Sequence, residues 1–136
     1  MLQYVVVHHQ VGATGKIRDA DSHFDWMFDR GDALWTWATD QYPEPMSTGP
    51  LDAVRLADHR RVYLDYEGRV SGDRGEVSRV ESGAFETLYE SEDCFEVRVT
   101  GKRCGVITFQ RTCPADSPEP SARWCWSFLP NRVEAS

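Results

Sequence analysis

A compact single-domain β-barrel of about seven or eight mostly antiparallel strands, with little helix, is the fold class that this sequence predicts. Three observations lead there. Apolar residues recur at every second position through most of the chain, the period of a half-buried strand. Short Gly- and polar-rich turn signals separate those runs. No stretch carries the 3.6-residue apolar period of an amphipathic helix. The length of 136 residues suits one domain, taken as 1–136. Five Trp, six Phe and five Tyr supply the apolar area that one core needs.

In chain order, "YVVVHH" (4–9) reads as the first strand and "SHFDWMFD" (22–29) as the second. In the second, Phe24, Trp26 and Phe28 share one face while His23, Asp25, Met27 and Asp29 share the other, because side chains alternate. "DRGD" (29–32) predicts a hairpin turn with Gly31 at positive φ, leading into "DALWTWA" (32–38). "GEVSRVE" (75–81), "AFETLYE" (84–90), "CFEVRVT" (94–100), "CGVITFQR" (104–111) and "RWCWSFL" (123–129) follow as strands. Turns are expected at "ESG" (81–83) and "TGK" (100–102). Residues 10–22, the three-proline segment 41–50 and the Pro- and Ser-rich segment 114–121 read as loops. "SGDRGEV" (71–77) suits a tight turn, and residues 130–136 a frayed tail.

Composition excludes several classes. No run of 18 apolar residues exists, so a membrane-spanning helix is not expected. The start of the chain lacks a basic n-region and a long apolar stretch, which makes a cytoplasmic protein the expectation. The net charge of -7 argues against a broad nucleic-acid-binding face, though a few local cations suffice to grip a chain end. Cys94, Cys104, Cys113 and Cys125 form no CxxC pair, so free buried thiols are expected.

His9 closes the first strand, and His23 sits two residues before Asp25 on one strand face. Two histidines and a carboxylate are a common ligand set for Mn²⁺, Fe²⁺ or Zn²⁺. Exposed polar residues on the outside of a barrel give the same pattern with no metal, and both readings stand on spacing alone. His8 and His9 alternate, so at most one of them faces the site. "DHRRVYLDYEG" (58–68) adds His59 and Tyr63 as a candidate acid and phosphate-binding pair, with Arg55, Arg60 and Arg61 close in sequence. A solvated turn with ordinary surface charges is the alternative for that segment.

Taken in order, "YVVVHH", "HFDWMFD", "ALWTWA", "DHRRVYLDYEG" and "SGDRGEV" resemble the 3′-phosphoesterase domain of bacterial DNA ligase D, in a stand-alone form. The resemblance covers residues 4 to about 90 by motif and the later strands by pattern. It implies a β-barrel with a divalent metal in its mouth, Mn²⁺ by preference with Zn²⁺ as the alternative. It also implies removal of a phosphate or ribonucleoside from nucleic acid 3′ ends in DNA repair, with a repair protein as a further partner. Its metal ligands carry over to His9, His23 and Asp25, and its phosphate-side residues to His59 and Tyr63. Two arginines of the family fall at Met27 and Leu51 here. Arg55 is the expected substitute as a catalytic cation, with Arg74 a second candidate. Loss of such donors typically costs a factor of about 10² to 10³. The alternative function is therefore a catalytically degenerate module that binds nucleic acid ends or phosphate.

Overall fold

A computed structural model describes residues 2–10, 22–69, 76–112 and 123–131. These form β1 (Leu2–Gln10), β2 (His23–Asp29), β3 (Leu34–Thr39), β4 (Leu51–His59), β5 (Gly68–Arg69), β6 (Glu76–Glu90), β7 (Cys94–Gly101), β8 (Cys104–Arg111) and β9 (Arg123–Pro130). A short 3-10 helix, Arg61–Leu64, follows β4. The sheet order is β1-β2-β3-β4-β9-β8-β7-β6, and β1 pairs with β6 to close the ring. The result is a closed antiparallel barrel of eight strands, with β5 added to β6 outside the ring. The predicted β-barrel is therefore the observed fold. Closure leaves no strand edge open along the ring.

Alternation fills the interior. Every barrel strand sends side chains to one cluster, including Tyr4, Trp26, Trp37, Ala53, Phe85, Phe95, Phe109 and Trp126. Phe28 sits among Phe85, Phe95 and Phe109, edge-on to each at 5.3, 5.4 and 5.8 Å. Offset and edge-on ring pairs of this kind add to simple area burial. Gly31 has φ +96° in the β2–β3 turn, as its place in "DRGD" requires.

The interior also holds one charged group pair. Arg103 Nε and Nη2 each donate to the Glu81 carboxylate at 2.8 Å. Tyr42 donates to Glu81 Oε1 at 2.7 Å, and Tyr4 donates to Oε2. Arg103 Nη2 also donates to the Pro43 carbonyl at 3.0 Å. Burial pushes the Tyr42 phenol up to about 12 and raises that of Tyr4 further, so both remain donors. These bonds meet the lone pairs of the Glu81 carboxylate, as a buried ion pair requires, while Arg103 Nη1 has no hydrogen-bond partner.

Two expectations change, and one strand, β4, was not read from the sequence. Residues 81–83 are not a turn but part of one long strand, β6, which is bulged opposite Val6/Val7. Glu81 points inward to Arg103, and Gly83 is there because a Cβ would collide with the Thr100 carbonyl and the Tyr4 ring. β4 carries no clear strand signature, since Ala53 is its one fully buried residue. Its place is fixed by pairing with β3 and β9 instead. Cys94, Cys104 and Cys125 are free as expected, but Cys104 is exposed and the other two half-buried. The segments 11–21, 70–75, 113–122 and 132–136, with Arg74 and Cys113, lie outside the described residues. No helix among the described residues is long and apolar enough to cross a membrane.

Replacing Arg103 with Met strands the Glu81 charge in the core. The expected loss of unfolding free energy is about 3–5 kcal/mol, read from urea denaturation. The double replacement Glu81→Leu with Arg103→Met is expected to lose less than the single one. A single variant that unfolds at the wild-type midpoint contradicts this account of the core.

Candidate metal centre on the outer face of the barrel

With Trp26 and Phe28 inside, β2 must direct His23, Asp25, Met27 and Asp29 outward. The outside of a barrel is usually wet. Here Met27 is 0% exposed, Asp25 2% and Asp29 5%. The cause is a cap formed by the segment that follows β4. Leu64 of the 3-10 helix, with Tyr63 and Tyr66, packs on Val5, Val7, Met27, Leu34 and Val77 in a second apolar cluster outside the ring.

Polar bonds clamp this cap to the wall. Arg61 donates through Nε and Nη2 to the two oxygens of Asp29, at 3.0 and 2.9 Å. The parallel geometry is the strong form of an arginine–carboxylate contact. Gly31 N donates to the same carboxylate at 2.8 Å. On the other flank, Arg79 donates through its backbone N–H to Glu67 at 2.9 Å and through Nη1 to the Leu64 carbonyl at 3.3 Å. The Arg61 hydrogen bond, chiefly, holds the Asp29 carboxyl below its ordinary range.

Pairing of β1 with β2 places His9 directly opposite His23, and Val7 opposite Asp25. Opposed residues of an antiparallel pair share a face, so His9, His23 and Asp25 converge. His23 Nε2 lies 3.1 Å from Asp25 Oδ1, and His9 Nδ1 lies 3.8 Å from Asp25 Oδ2. The imidazole rings of His9 and His23 meet edge to face at 5.0 Å. His59 approaches from the end of β4, its Nε2 3.9 Å from Asp25 Oδ2. His8 turns away and stacks on Phe24 at 4.6 Å, so His9 is the histidine of β1 that reaches the site.

One ligand atom from each of His9, His23 and Asp25 lies within 4.8 Å of the others. Three donors bound to one cation at about 2.1 Å stand roughly 3–3.5 Å apart, so a small inward movement completes a site. Asp25 Oδ1 is buried and accepts no hydrogen bond of adequate direction, despite the short separation from His23. A buried carboxylate oxygen left in this state is costly. A cation between the three side chains removes that cost, and the mixed nitrogen and oxygen donor set suits a divalent transition metal. These residues therefore fit a metal ion.

Beside them opens a cleft of about 270 Å³, lined by His9, Asp25, His59, Arg60 and Tyr63 among others. His59 and Tyr63 face each other edge-on at 5.9 Å. Five of the six site residues named from the sequence thus come together: His9, His23, Asp25, His59 and Tyr63. The sixth, Arg55, does not. It pairs with Trp37 in the sheet and lays its guanidinium over that ring at 4.2 Å, away from the cleft. The strand period is the reason, since Trp37 faces the interior and its partner on β4 faces the same way. The cluster also lies on the outer wall rather than in the barrel mouth, because Asp25 alternates with core residues. Met27 is buried beneath the cap. Leu51 pairs with Trp126 at the start of β4.

Arg60, which precedes the 3-10 helix, is the cleft cation that the reading of Arg55 missed. Its signal was the arginine pair 60–61, of which Arg61 is taken by Asp29. No protein-family model matches this chain, and a search of curated proteins finds no match.

Titration with Mn²⁺ or Zn²⁺ is expected to show saturable binding, weakened more than about tenfold in Asp25→Ala. Equal affinity in both proteins removes Asp25 from the site. The cap has its own test. Asp29 has a lowered folded pKa, so its pairing stabilises the protein above the ordinary Asp range near 3.9. That stability is lost as pH falls through the folded value. Arg61→Gln is thus expected to melt below wild type at pH 7, and the gap to close towards pH 2. A gap that persists unchanged in acid refutes the clamp.

Proposed function

We propose that this protein is a metal-dependent phosphoesterase acting on the 3′ ends of nucleic acid strands, removing a terminal phosphate or ribonucleoside. The observation that carries the reading is the grouping of His9, His23 and Asp25 beside an open cleft that His59, Tyr63 and Arg60 also line. The ordered resemblance of "HFDWMFD" and "DHRRVYLDYEG" to the ligase D phosphoesterase domain supports the substrate class. Mn²⁺ is the proposed ion, with Zn²⁺ as the alternative. The acidic balance of the chain fits a small contact at a strand end rather than a long track along the backbone.

A divalent cation bound at such a site supplies Lewis acidity towards a phosphoryl oxygen. The chain's own residues do the rest. Asp25 and the imidazoles of His9 and His23 would hold that cation. A water molecule attacks phosphorus and gives up a proton to solvent as the bond to the leaving oxygen breaks, and His59 delivers a proton to that oxygen. Tyr63 donates a hydrogen bond to a non-bridging oxygen. Arg60 offsets the charge of the phosphate. Arg61 acts by position alone, because its donors to Asp29 keep Tyr63 over the site, beside the His59 that β4 supplies.

One specific observation favours a second reading, an end-binding module without turnover. The two positions where the resembled family carries arginines hold a buried Met27 and Leu51, and Arg55 is turned away. The two readings separate in one assay. Protein with Mn²⁺ is given oligonucleotides ending in 3′-phosphate or a single 3′-ribonucleotide. The enzyme reading expects end removal that falls by about 10²–10⁴ in His59→Ala. Metal binding and end binding without any cleavage overturn it in favour of the module.

A further inference from the structure

A second cavity, of about 350 Å³, opens between β3, β4 and the 91–95 turn, and shares no lining residue with the metal cleft. It is lined by Trp35, Trp37, Phe95 and Trp124, with Arg55 and Arg111. We propose that it is a binding site for a small planar aromatic ring carrying one anionic group, a carboxylate or a phosphate. The proposal does not rest on the phosphoesterase reading.

Unmet donors are the first argument. Six buried side-chain polar atoms among the described residues lack a hydrogen-bond partner, and three belong to residues lining this cavity. They are Trp37 Nε1, Trp124 Nε1 and Arg111 Nε. All three are donors, and Trp37 is fully buried and Trp124 nearly so. Native proteins rarely leave such groups unpaired. A cluster of donors with no acceptor calls for an acceptor-rich occupant.

Charge is the second argument. The Arg55 guanidinium lies over the Trp37 ring at 4.2 Å and makes only long hydrogen bonds, 3.4 Å to Asp58 and 3.4 Å to the Leu56 carbonyl. Arg111 gives Nη1 to Asp93 at 3.1 Å, and its Nε is the unpaired donor. Arg30 lies nearby over the Trp35 ring at 4.1 Å, although Glu90 pairs with it. Planar guanidinium groups match carboxylate and phosphate oxygens two at a time. Glu92, also on the lining, disfavours a ligand of high negative charge and leaves room for one anionic group.

Shape is the third. Trp35 and Phe95 meet edge to face at 5.2 Å, and the Arg30 and Arg55 guanidinium groups lie over Trp35 at 4.1 and 5.0 Å, so the walls are built of flat groups against which a planar guest can pack. The volume is at the small end of ligand sites, enough for one ring system and not for a polymer. Arg55, which the metal cleft does not use, finds its role here.

The experiment is a titration of the whole protein with two probes, 1-naphthoate and AMP, followed by NMR of the indole N–H signals. The carboxylate probe and the nucleoside monophosphate separate the two sources of the anion. The expected result is saturable movement of the Trp37 and Trp124 signals by at least one probe. Its affinity is expected to fall about tenfold in Arg111→Gln and in Arg55→Gln. It is also expected to persist in Asp25→Asn, which separates this site from the metal cleft. No saturable movement with either probe overturns the proposal. So does movement that survives both arginine replacements, or that disappears in Asp25→Asn.

Discussion

The bidentate pair of Arg61 with Asp29 is the interaction on which the metal cleft depends. β2 alone would leave Asp25, Met27 and Asp29 in water, as the outer face of any barrel strand is left. The pair fixes the segment after β4 against that face, and Leu64 with its tyrosine neighbours then covers Met27. Covering has two effects at once. It removes solvent from the Asp25 carboxylate, and it carries Tyr63 to the rim beside His59, which the pairing of β4 with β3 has already placed there. Local dielectric and the position of Tyr63 thus follow from a single docking event.

Two buried carboxylates in this chain show how environment separates structure from function. Glu81 sits inside the barrel at 3% exposure and accepts from Arg103, Tyr4 and Tyr42. Its charge is matched by one cation, and its oxygens have donors. Asp25 is equally buried, but imidazoles surround it and Oδ1 accepts nothing. In the first arrangement a donor meets each carboxylate oxygen. The second leaves Oδ1 without one beside the imidazoles of His9 and His23, an arrangement that fits a metal ion.

Much of this was legible in the residues. The period of two gave most of the strands, and the H-x-D spacing put His23 and Asp25 on one face. The hidden parts have physical causes. β4 has one buried apolar residue and several charges, so its pairing is decided by neighbours rather than by its own pattern. "ESG" looks like a turn because Gly and a charge are read as exposed, and only Arg103, 22 positions on, makes Glu81 an interior residue. The cap was foreshadowed in "YVVV", where Tyr4, Val5, Val6 and Val7 are apolar on both faces. A strand buried on both sides reads that way, and one side here is the cap.

The cap also decides where positive charge can enter the cleft. Met27 is 0% exposed and packs with Val7, Leu34 and Leu64 in the outer cluster. An arginine there would have to bury its guanidinium under the cap or push the cap away, and either outcome conflicts with the Arg61–Asp29 clamp. A sealed cap and an arginine at position 27 are therefore alternatives. With the cap sealed, the cation that the described residues supply to the cleft lining is Arg60, on the cap itself. Under the proposed function, the charge that faces the phosphate has moved from the barrel wall to the segment that covers it. Any motion that lifts the cap then removes Arg60 and Tyr63 together and leaves His59 on β4, with His9, His23 and Asp25, on the wall.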